Sequence, residues 1–163
     1  MIEQVDQFKY LGAWITNDGR TEMEIKVRIS IAKEAFCKRK EVVAKSFSTN
    51  LKKRIVTTLA WSVALYGAET WTIRKEDRRQ LEALEMWIWR KKNKISWTEK
   101  KSNVEVLEMM GERRKLMETI VQRKKRWIGH MLRGESMLRE VMGGKMVGKR
   151  ARGRRRLTND FQT

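Results

Sequence analysis

The sequence predicts a mainly α protein, in which a helical bundle follows a short β-hairpin and precedes a basic, partly disordered tail. Between residues 22 and 133 apolar residues recur at helical spacing, whereas a strand pattern is confined to residues 4–16. From residue 143 onward basic residues alternate with glycine, and almost nothing apolar remains to bury. We therefore expect four regions, a hairpin at 1–20, a helical domain at 21–100, C-terminal helices at 101–142 and a flexible tail at 143–163.

Composition narrows the class of protein. The 163 residues are 40% apolar and include seven Trp, which is enough to build a core. The excess of 38 basic over 20 acidic residues gives a net charge of +18, which favours nucleic acid as a partner and, more weakly, an anionic membrane surface. One cysteine excludes an internal disulfide framework, and no apolar run approaches the ~20 residues of a membrane span. We expect an intracellular, soluble protein without a membrane partner.

The hairpin is predicted from β-forming residues that flank a turn. Phe8, Tyr10, Trp14 and Ile15 favour strands, and Gly12 lies where the chain would reverse. A two-stranded hairpin is marginal in water on its own. It therefore needs a packing partner, and the sequence leaves open whether this chain supplies one.

The first predicted helix spans residues 22–45. Thr21 and Glu24 have the spacing of a capping box, in which each side chain bonds a backbone N–H of the first turn. Ile25 and Phe36 lie on its apolar face.

The second predicted helix, at residues 51–66, ends in the longest stretch of the chain that can leave water. The apolar stripe expected to face the core consists of Leu51, Ile55, Leu59, Val63 and Tyr66. Gly67 is expected to end this helix. An unpaired carboxylate is costly to bury, so we expect Glu69 to be a buried or half-buried hydrogen-bond or salt-bridge partner, for example of Arg74 or of backbone amides.

Three further helices complete the predicted bundle. One spans residues 75–94, and a capping box at 102–105 opens a short helix that Gly111 ends. The last spans residues 113–133, where an apolar stripe runs beside the basic run 123–126. This helix can face a core and a phosphate backbone at once.

Five motifs, taken in order, resemble a known family. They are VDQFKYLG at 5–12, DGR at 18–20, LYGAETW at 65–71, WIGHMLR at 127–133 and GRRR at 153–156. Together they resemble the C-terminal part of the reverse transcriptase of non-LTR retrotransposons, above all the RTE-like endonuclease-reverse transcriptases. The resemblance covers nearly the whole chain, but many relatives continue with further apolar residues after the last box.

The resemblance implies that the hairpin is a primer grip and that the helices after it form a thumb around the template-primer duplex. It also implies that the catalytic carboxylates and their Mg²⁺ lie in a palm domain upstream, since the sequence contains no Tyr-Ala-Asp-Asp type turn. We expect a nuclear fragment without catalytic residues, metal or cofactor of its own. Its expected partners are the palm and nucleic acid, as an RNA template, an RNA/DNA hybrid or DNA.

Candidate nucleic-acid-binding residues fall in four groups. They are Phe8, Lys9 and Tyr10 in the hairpin; Lys91, Lys92, Lys94 and Trp97 after the third helix; Arg123, Lys124, Lys125 and Arg126 in the last helix; and Arg150, Arg152, Arg154, Arg155 and Arg156 in the tail. Lys and Arg would neutralise phosphates without reading base sequence. Trp97, in a polar loop, is the best stacking candidate, whereas Trp61, Trp71 and Trp87 favour core packing.

Other chemically notable residues are given structural roles. Glu82, Glu85 and Glu108 are expected to be helix-face partners of Lys and Arg. Cys37 is expected to be a small, partly buried side chain, and His130 to lie near the end of a basic helix, where its cation favours the helix terminus.

Besides a weaker hypothesis of electrostatic attachment to anionic membranes, two alternatives to nucleic-acid binding stay open at this point. One is a helical protein-interaction module that uses the hairpin and Met-rich helix faces. The other is a transposon remnant without a selected function.

Overall fold

The computed structural model of the chain describes residues 5–38 and 48–133, together with Arg139. Over these residues the protein is mainly helical, with a two-stranded antiparallel hairpin at its N-terminal end, as the sequence predicts. The last residues of the first predicted helix and the basic tail lie outside the described residues.

The hairpin forms because its turn matches the twist of its strands. Strand β1, Gln7–Tyr10, pairs antiparallel with β2, Ala13–Thr16. Leu11 and Gly12 between them have φ angles of 48° and 84°. Positive φ at both central positions is typical of the two-residue turns that join strands without splaying them.

Helix α1, Glu22–Lys38, begins without the predicted capping box. The Thr21 hydroxyl donates to the Thr72 carbonyl at 3.2 Å, and the Glu24 carboxylate accepts the Trp14 N–H at 2.7 Å. The prediction was wrong because both side chains bond to distant segments instead of to the backbone N–H groups at the start of α1.

The second predicted helix contains a π-helical turn. It consists of α2, Thr49–Val56, the π turn Thr57–Trp61 and a final short α3, Ser62–Ala64. A π turn holds more residues than an α turn, so it rotates the faces that follow it. The predicted stripe was wrong at both ends, since Leu51 and Tyr66 are 39% and 49% exposed. The π turn accounts for Tyr66, which follows it, but not for Leu51, which precedes it. The buried residues here are Val56, Ala60, Trp61, Ala64 and Leu65.

Gly67 ends this helix, as predicted, in the left-handed conformation with φ of 69°. A 3₁₀ turn at Ala68–Thr70 follows, and helix α4 then runs over Lys75–Lys92. Only ten residues, 65–74, therefore separate α3 from α4, and they include the buried Leu65, Ala68 and Trp71.

The predicted capping box at Ser102 is confirmed. Its side chain accepts the Glu105 N–H at 3.2 Å and so opens helix α5, Asn103–Met110, which Gly111 ends with φ of 56°. Helix α6, Leu116–Arg133, completes the described fold.

All six helices contribute buried residues or their packed neighbours to one hydrophobic core. Trp61 and Trp71 are 6% and 1% exposed, which confirms their predicted core packing, whereas Trp87 is only partly buried against the core. Trp89, at 3% exposure, is a further buried indole. Burying one Leu or Ile side chain stabilises a fold by about 1.5–3 kcal/mol. Fully buried members of this kind include Ile25, Leu65, Leu81, Leu84, Ile88, Leu116 and Ile120.

The hairpin tip is held by a polar clamp on the helices. Arg28 donates to the Gly12 carbonyl and to the Glu24 carboxylate, both at 2.5 Å, and its guanidinium lies 4.3 Å from the centre of the Tyr66 ring. The Tyr66 hydroxyl donates to the Leu11 carbonyl at 2.9 Å. The chain itself therefore supplies the packing partner that the hairpin needs.

Glu85 is buried, at 1% exposure, so the prediction of a helix-face ion pair was wrong. One of its oxygens accepts the N–H groups of Lys115 and Leu116, at 2.9 and 3.2 Å, where α6 begins. Burial raises the pKa of Glu85, and these two hydrogen bonds oppose that rise. Glu82 is a surface partner as predicted, with its carboxylate 2.9 Å from Arg114.

Candidate nucleic-acid interface

The outer face of α6 presents cations on an anchored helix. Leu116 and Ile120 face the core, and Lys125, Arg126 and Arg133 are exposed on the opposite side. We call these three cations the α6 basic stripe. None of the three forms an ion pair with a carboxylate in the described part of the chain, so their charge is available to an anion in solvent.

Arg123 and Lys124 belong to the same basic run, but their side chains bond to backbone carbonyls of the protein. Arg123 donates to the Leu65 carbonyl at 3.1 Å, and the Lys124 ammonium donates to the Trp71 carbonyl at 2.8 Å. Burial lowers the pKa of Lys124. These two side chains hold α6 in place, and their predicted contact with phosphate stays a prediction.

Residues 65–72 join the hairpin to α6. Leu65 and Trp71 accept hydrogen bonds from α6, while Tyr66 bonds the hairpin tip. Thr72 is bonded in both directions to Thr21, just before α1. The predicted primer-grip hairpin and the α6 basic stripe are therefore fixed to one short segment, which is the LYGAETW motif and the residue after it.

Three single-residue predictions are settled by their surroundings. Glu69 is half-buried and pairs with Arg123 at 4.0 Å, which confirms the predicted role as a salt-bridge partner, but the named partner, Arg74 or backbone amides, was wrong. Cys37 is exposed, which contradicts the predicted partial burial. His130 lies exposed in the last turn of α6, where the sequence placed it.

The three candidate residues of the hairpin are all exposed. Phe8 and Tyr10 are 47% and 59% exposed on the same side of β1, with Lys9 on the other side. Phe8 lies opposite Ile15 of β2, which is 41% exposed. This arrangement leaves an apolar surface on one side of the hairpin and the Lys9 cation on the other, with the tip held by the clamp on the helices.

The candidate cations after α4 differ in their environment. Lys91 and Lys94 are exposed, whereas the Lys92 ammonium lies 5.4 Å from the centre of the Trp89 ring. Trp97 begins a 3₁₀ turn, and its side chain lies outside the described atoms. The five tail arginines are also outside the described residues, so their role stays a prediction.

A groove that was not predicted from the sequence runs along α4. It has a volume of about 1020 Å³ and lies between α4, α1 and the loop before α5. Its cations are Lys33, Arg79, Arg90, Lys91, Lys100, Lys101 and Arg114, against the single carboxylate of Glu82. Its apolar lining is Ile29, Ala83, Leu84, Met86, Trp87 and Ile95. We call this the α4 groove.

The cations of the α4 groove differ in the contacts that they make with the rest of the protein. Arg90 donates to a backbone carbonyl at 2.8 Å and to an asparagine oxygen at 2.9 Å. Lys33 lies 5.6 Å from the centre of the Trp87 ring, a contact worth about 0.5–1 kcal/mol at an exposed site. Lys91 and Lys100 form no ion pair with a carboxylate among residues 5–38 and 48–133. At least two charges are therefore uncompensated.

One signal in the sequence could have revealed this groove. Arg79, Ala83, Trp87 and Lys91 recur every fourth residue, which places them on one side of α4. Trp87 is half-buried, and its ring meets the edge of Phe36 with the two centres 5.7 Å apart. It therefore packs against the core with one part and lines the groove with another.

The comparisons with known proteins find no match, so the function is inferred from the geometry, the charge and the sequence motifs. Across the described residues, no three His, Cys, Asp or Glu side chains are grouped to hold a metal ion. None of the helices described here is both long and apolar enough to cross a membrane. The sequence matches no protein-family model, no curated protein and no solved structure.

Proposed function

We propose that this chain is a non-catalytic part of an RTE-like retrotransposon reverse transcriptase and that it holds the primed template. The hairpin serves as the primer grip, the helical bundle as the thumb, and the α6 basic stripe contacts phosphates of the template-primer duplex. The palm of the parent polymerase supplies the carboxylates and Mg²⁺ for nucleotide transfer. The site of action is the nucleus, where a retrotransposon copies itself into a chromosomal target.

The observation that carries this proposal is the α6 basic stripe. Lys125, Arg126 and Arg133 are exposed on a helix whose other face is buried at Leu116 and Ile120. Cations on a fixed scaffold bind a phosphate backbone with less loss of side-chain and chain entropy than cations on a mobile segment. Each phosphate contact releases condensed counterions, so such binding is strong at low salt and indifferent to base sequence.

The connection through residues 65–72 supports the same proposal. A primer grip and a thumb act on one duplex, so their separation must be fixed. Here the hairpin tip bonds Tyr66, and α6 bonds Leu65 and Trp71. Movement of the hairpin relative to α6 would break several of these hydrogen bonds at once.

Binding to a DNA primer annealed to an RNA template tests the proposal, with fluorescence anisotropy recorded over a range of salt concentrations. We expect log K to fall linearly with log salt, by about 0.9 for each phosphate neutralised. The K125Q/R126Q variant should lose about two units of this slope. The matched control, K75Q/R78Q, removes two exposed cations from the side of α4 outside the groove and should keep the slope.

Absent binding, or binding that salt does not weaken, contradicts the proposal. An equal loss of slope in both variants would also contradict the assignment to α6, because it would mean that net charge alone determines the affinity.

A protein-interaction module is the second candidate, favoured by the apolar surface of the hairpin. Phe8, Leu11 and Ile15 are 47%, 75% and 41% exposed. Apolar side chains clustered at a surface are typical of protein interfaces. Competition distinguishes the two functions, because an excess of heparin abolishes capture of a partner that is nucleic acid and leaves capture by an apolar contact intact.

A further inference from the structure

The α4 groove combines cations with an apolar lining that phosphate binding does not require. Ile29, Trp87 and Ile95 are half-buried within it, and Leu84 and Met86 of the core lie behind them. A duplex presents phosphates outward and hides the faces of its bases in the stack. A single strand exposes both its phosphates and its base faces, and proteins bind it with cations beside aromatic side chains.

We propose that the α4 groove binds a single-stranded segment of nucleic acid, with a base against Trp87 and phosphates against Lys33, Arg79 and Lys91. This inference rests on the proposed nucleic-acid function, but it uses a different surface from the α6 basic stripe. The single strand is RNA or DNA, which share the chemistry that the groove recognises.

The dimensions of α4 fit a short strand. Arg79 and Lys91 are twelve residues apart on one side of the helix, which corresponds to about 18 Å. At 3.4 Å for each stacked nucleotide, this length accommodates about five nucleotides. Trp87 lies between these two cations, as a base-stacking side chain must if phosphates on both sides of the base are bound.

The contact between Lys33 and Trp87 does not prevent binding. The ammonium is 5.6 Å from the ring centre, close to the outer limit of about 6 Å for a cation–π contact. Stacking of a base on the indole is the stronger interaction of the two. A base therefore displaces Lys33 from the ring, and the released ammonium remains within the groove to bind a phosphate.

An acidic peptide is the competing occupant, because it also carries negative charge and apolar side chains. Trp87 lies between Arg79, which pairs with Glu76 at 2.9 Å in solvent, and Lys91, which forms no ion pair among the described residues. An exposed pair contributes only about 0–1 kcal/mol, so a phosphate competes for Arg79. This position of the indole favours nucleic acid, whose flat bases alternate with its charges, and poly-glutamate represents the competing peptide in the test.

The test uses the full chain and a labelled single strand of about 12 nucleotides, as RNA and as DNA. The R79Q/K91Q variant should lose about 1.4 units of salt slope for single strands, at about 0.7 for each phosphate. Its affinity for the primed duplex should not change. K75Q/R78Q, on the same helix but outside the groove, should behave as wild type with both ligands.

Photocrosslinking of the wild-type protein gives a second measurement, which does not depend on whether a variant folds. A bromouracil-substituted single strand should crosslink to the peptide that contains Trp87, and an excess of unlabelled strand should prevent it. Any one of three results overturns the inference. They are that the strand crosslinks only to peptides without Trp87, that poly-glutamate at an equal charge concentration displaces the strand, or that R79Q/K91Q binds single strands as the wild type does.

The two proposals fail in different ways. If the wild type binds the primed duplex but R79Q/K91Q binds single strands normally, only the groove assignment is wrong. If the wild type binds neither ligand, the proposed function is wrong and the groove assignment is overturned with it.

Discussion

Glu24 and Arg28 lie one turn apart on α1, at 3% and 8% exposure. Their side chains pair with each other, and each also bonds the hairpin, Glu24 at the Trp14 N–H and Arg28 at the Gly12 carbonyl. A buried ion pair of this kind is weak evidence for stability, but removal of one partner leaves an uncompensated charge. The pair therefore determines where the hairpin lies more than how stable the bundle is.

We expect R28M to lower the free energy of unfolding by about 3–5 kcal/mol, because Glu24 then stays buried without its partner. E24Q/R28M should recover part of that loss, since no charge remains to be desolvated. Urea denaturation followed by circular dichroism measures both.

K26M is the matched control, because Lys26 pairs with Glu22 at the same i,i+4 spacing but in solvent. It should change the free energy of unfolding far less. If R28M and K26M had equal effects, burial of the clamp would not be responsible.

Glu85 makes the stability depend on pH in an unusual direction for a carboxylate. Burial raises its pKa in the folded protein, so the fold favours the protonated form. This contribution is fully present below the pKa of the unfolded chain and is lost as pH rises through the higher folded pKa. The free energy of unfolding of the wild type, relative to E85Q, should therefore increase when pH falls from neutral toward 4.5.

E105Q provides a contrast of opposite sign. The backbone N–H of Ser102 holds the pKa of Glu105 below its ordinary value. The wild type should therefore lose its advantage over E105Q as pH falls. The Glu105 contribution is lost only below its ordinary value of 4.5, whereas the Glu85 contribution is gained above it, so thermal melts of the three proteins from neutral pH to well below 4.5 measure both effects. Parallel curves would contradict the burial of Glu85.

At the scale of elements, helix ends formed by neighbouring residues were predictable and those formed by distant ones were not. The capping box at Ser102 and Glu105 forms because both partners lie within one turn. Thr21 and Glu24 have the same spacing, but Thr72 and Trp14 compete successfully for their side chains. The spacing of residues gives no information about such long-range partners.

Substitutions of two glycines test how the backbone conformation at each position affects stability. Gly67 has φ of 69° with open space around it, so G67A introduces backbone strain of about 1–2 kcal/mol without a steric clash. Gly129 is inside α6, and an added Cβ meets only the flexible end of Arg133, at 3.9 Å. G129A should therefore stabilise the protein by about 0.8–1 kcal/mol.

Urea denaturation of the two variants should show shifts of opposite sign. Equal shifts would mean that Gly67 is not required for the left-handed conformation that ends the helix. Retention of the wild-type circular dichroism spectrum by both variants controls for a change of fold.

At the scale of the whole molecule, the net charge of +18 opposes the compact state, because folding brings like charges together. Salt weakens this repulsion, since the Debye length falls from about 30 Å at 0.01 M to about 8 Å at 0.15 M. Salt also weakens exposed ion pairs, but each of these contributes only about 0–1 kcal/mol.

We therefore expect the melting temperature to rise when sodium chloride increases over this range. An uncharged osmolyte at equal osmolality serves as the control for effects other than screening. A melting temperature that falls with salt would mean that ion pairs outweigh the repulsion among the basic residues.

The sequence by itself determined the helical class, the hairpin, the left-handed glycines Gly67 and Gly111 that follow two of the helices, and the excess of positive charge. These features depend on neighbouring residues or on composition. The tertiary structure alone decided how the basic run of α6 divides, with Arg123 and Lys124 bonded inside and Lys125 and Arg126 in solvent. It also decided the burial of Glu85 and the α4 groove. The reason is physical, because successive helical residues point about 100° apart, and only the packing of neighbouring segments selects which of them face a carbonyl, a core or water.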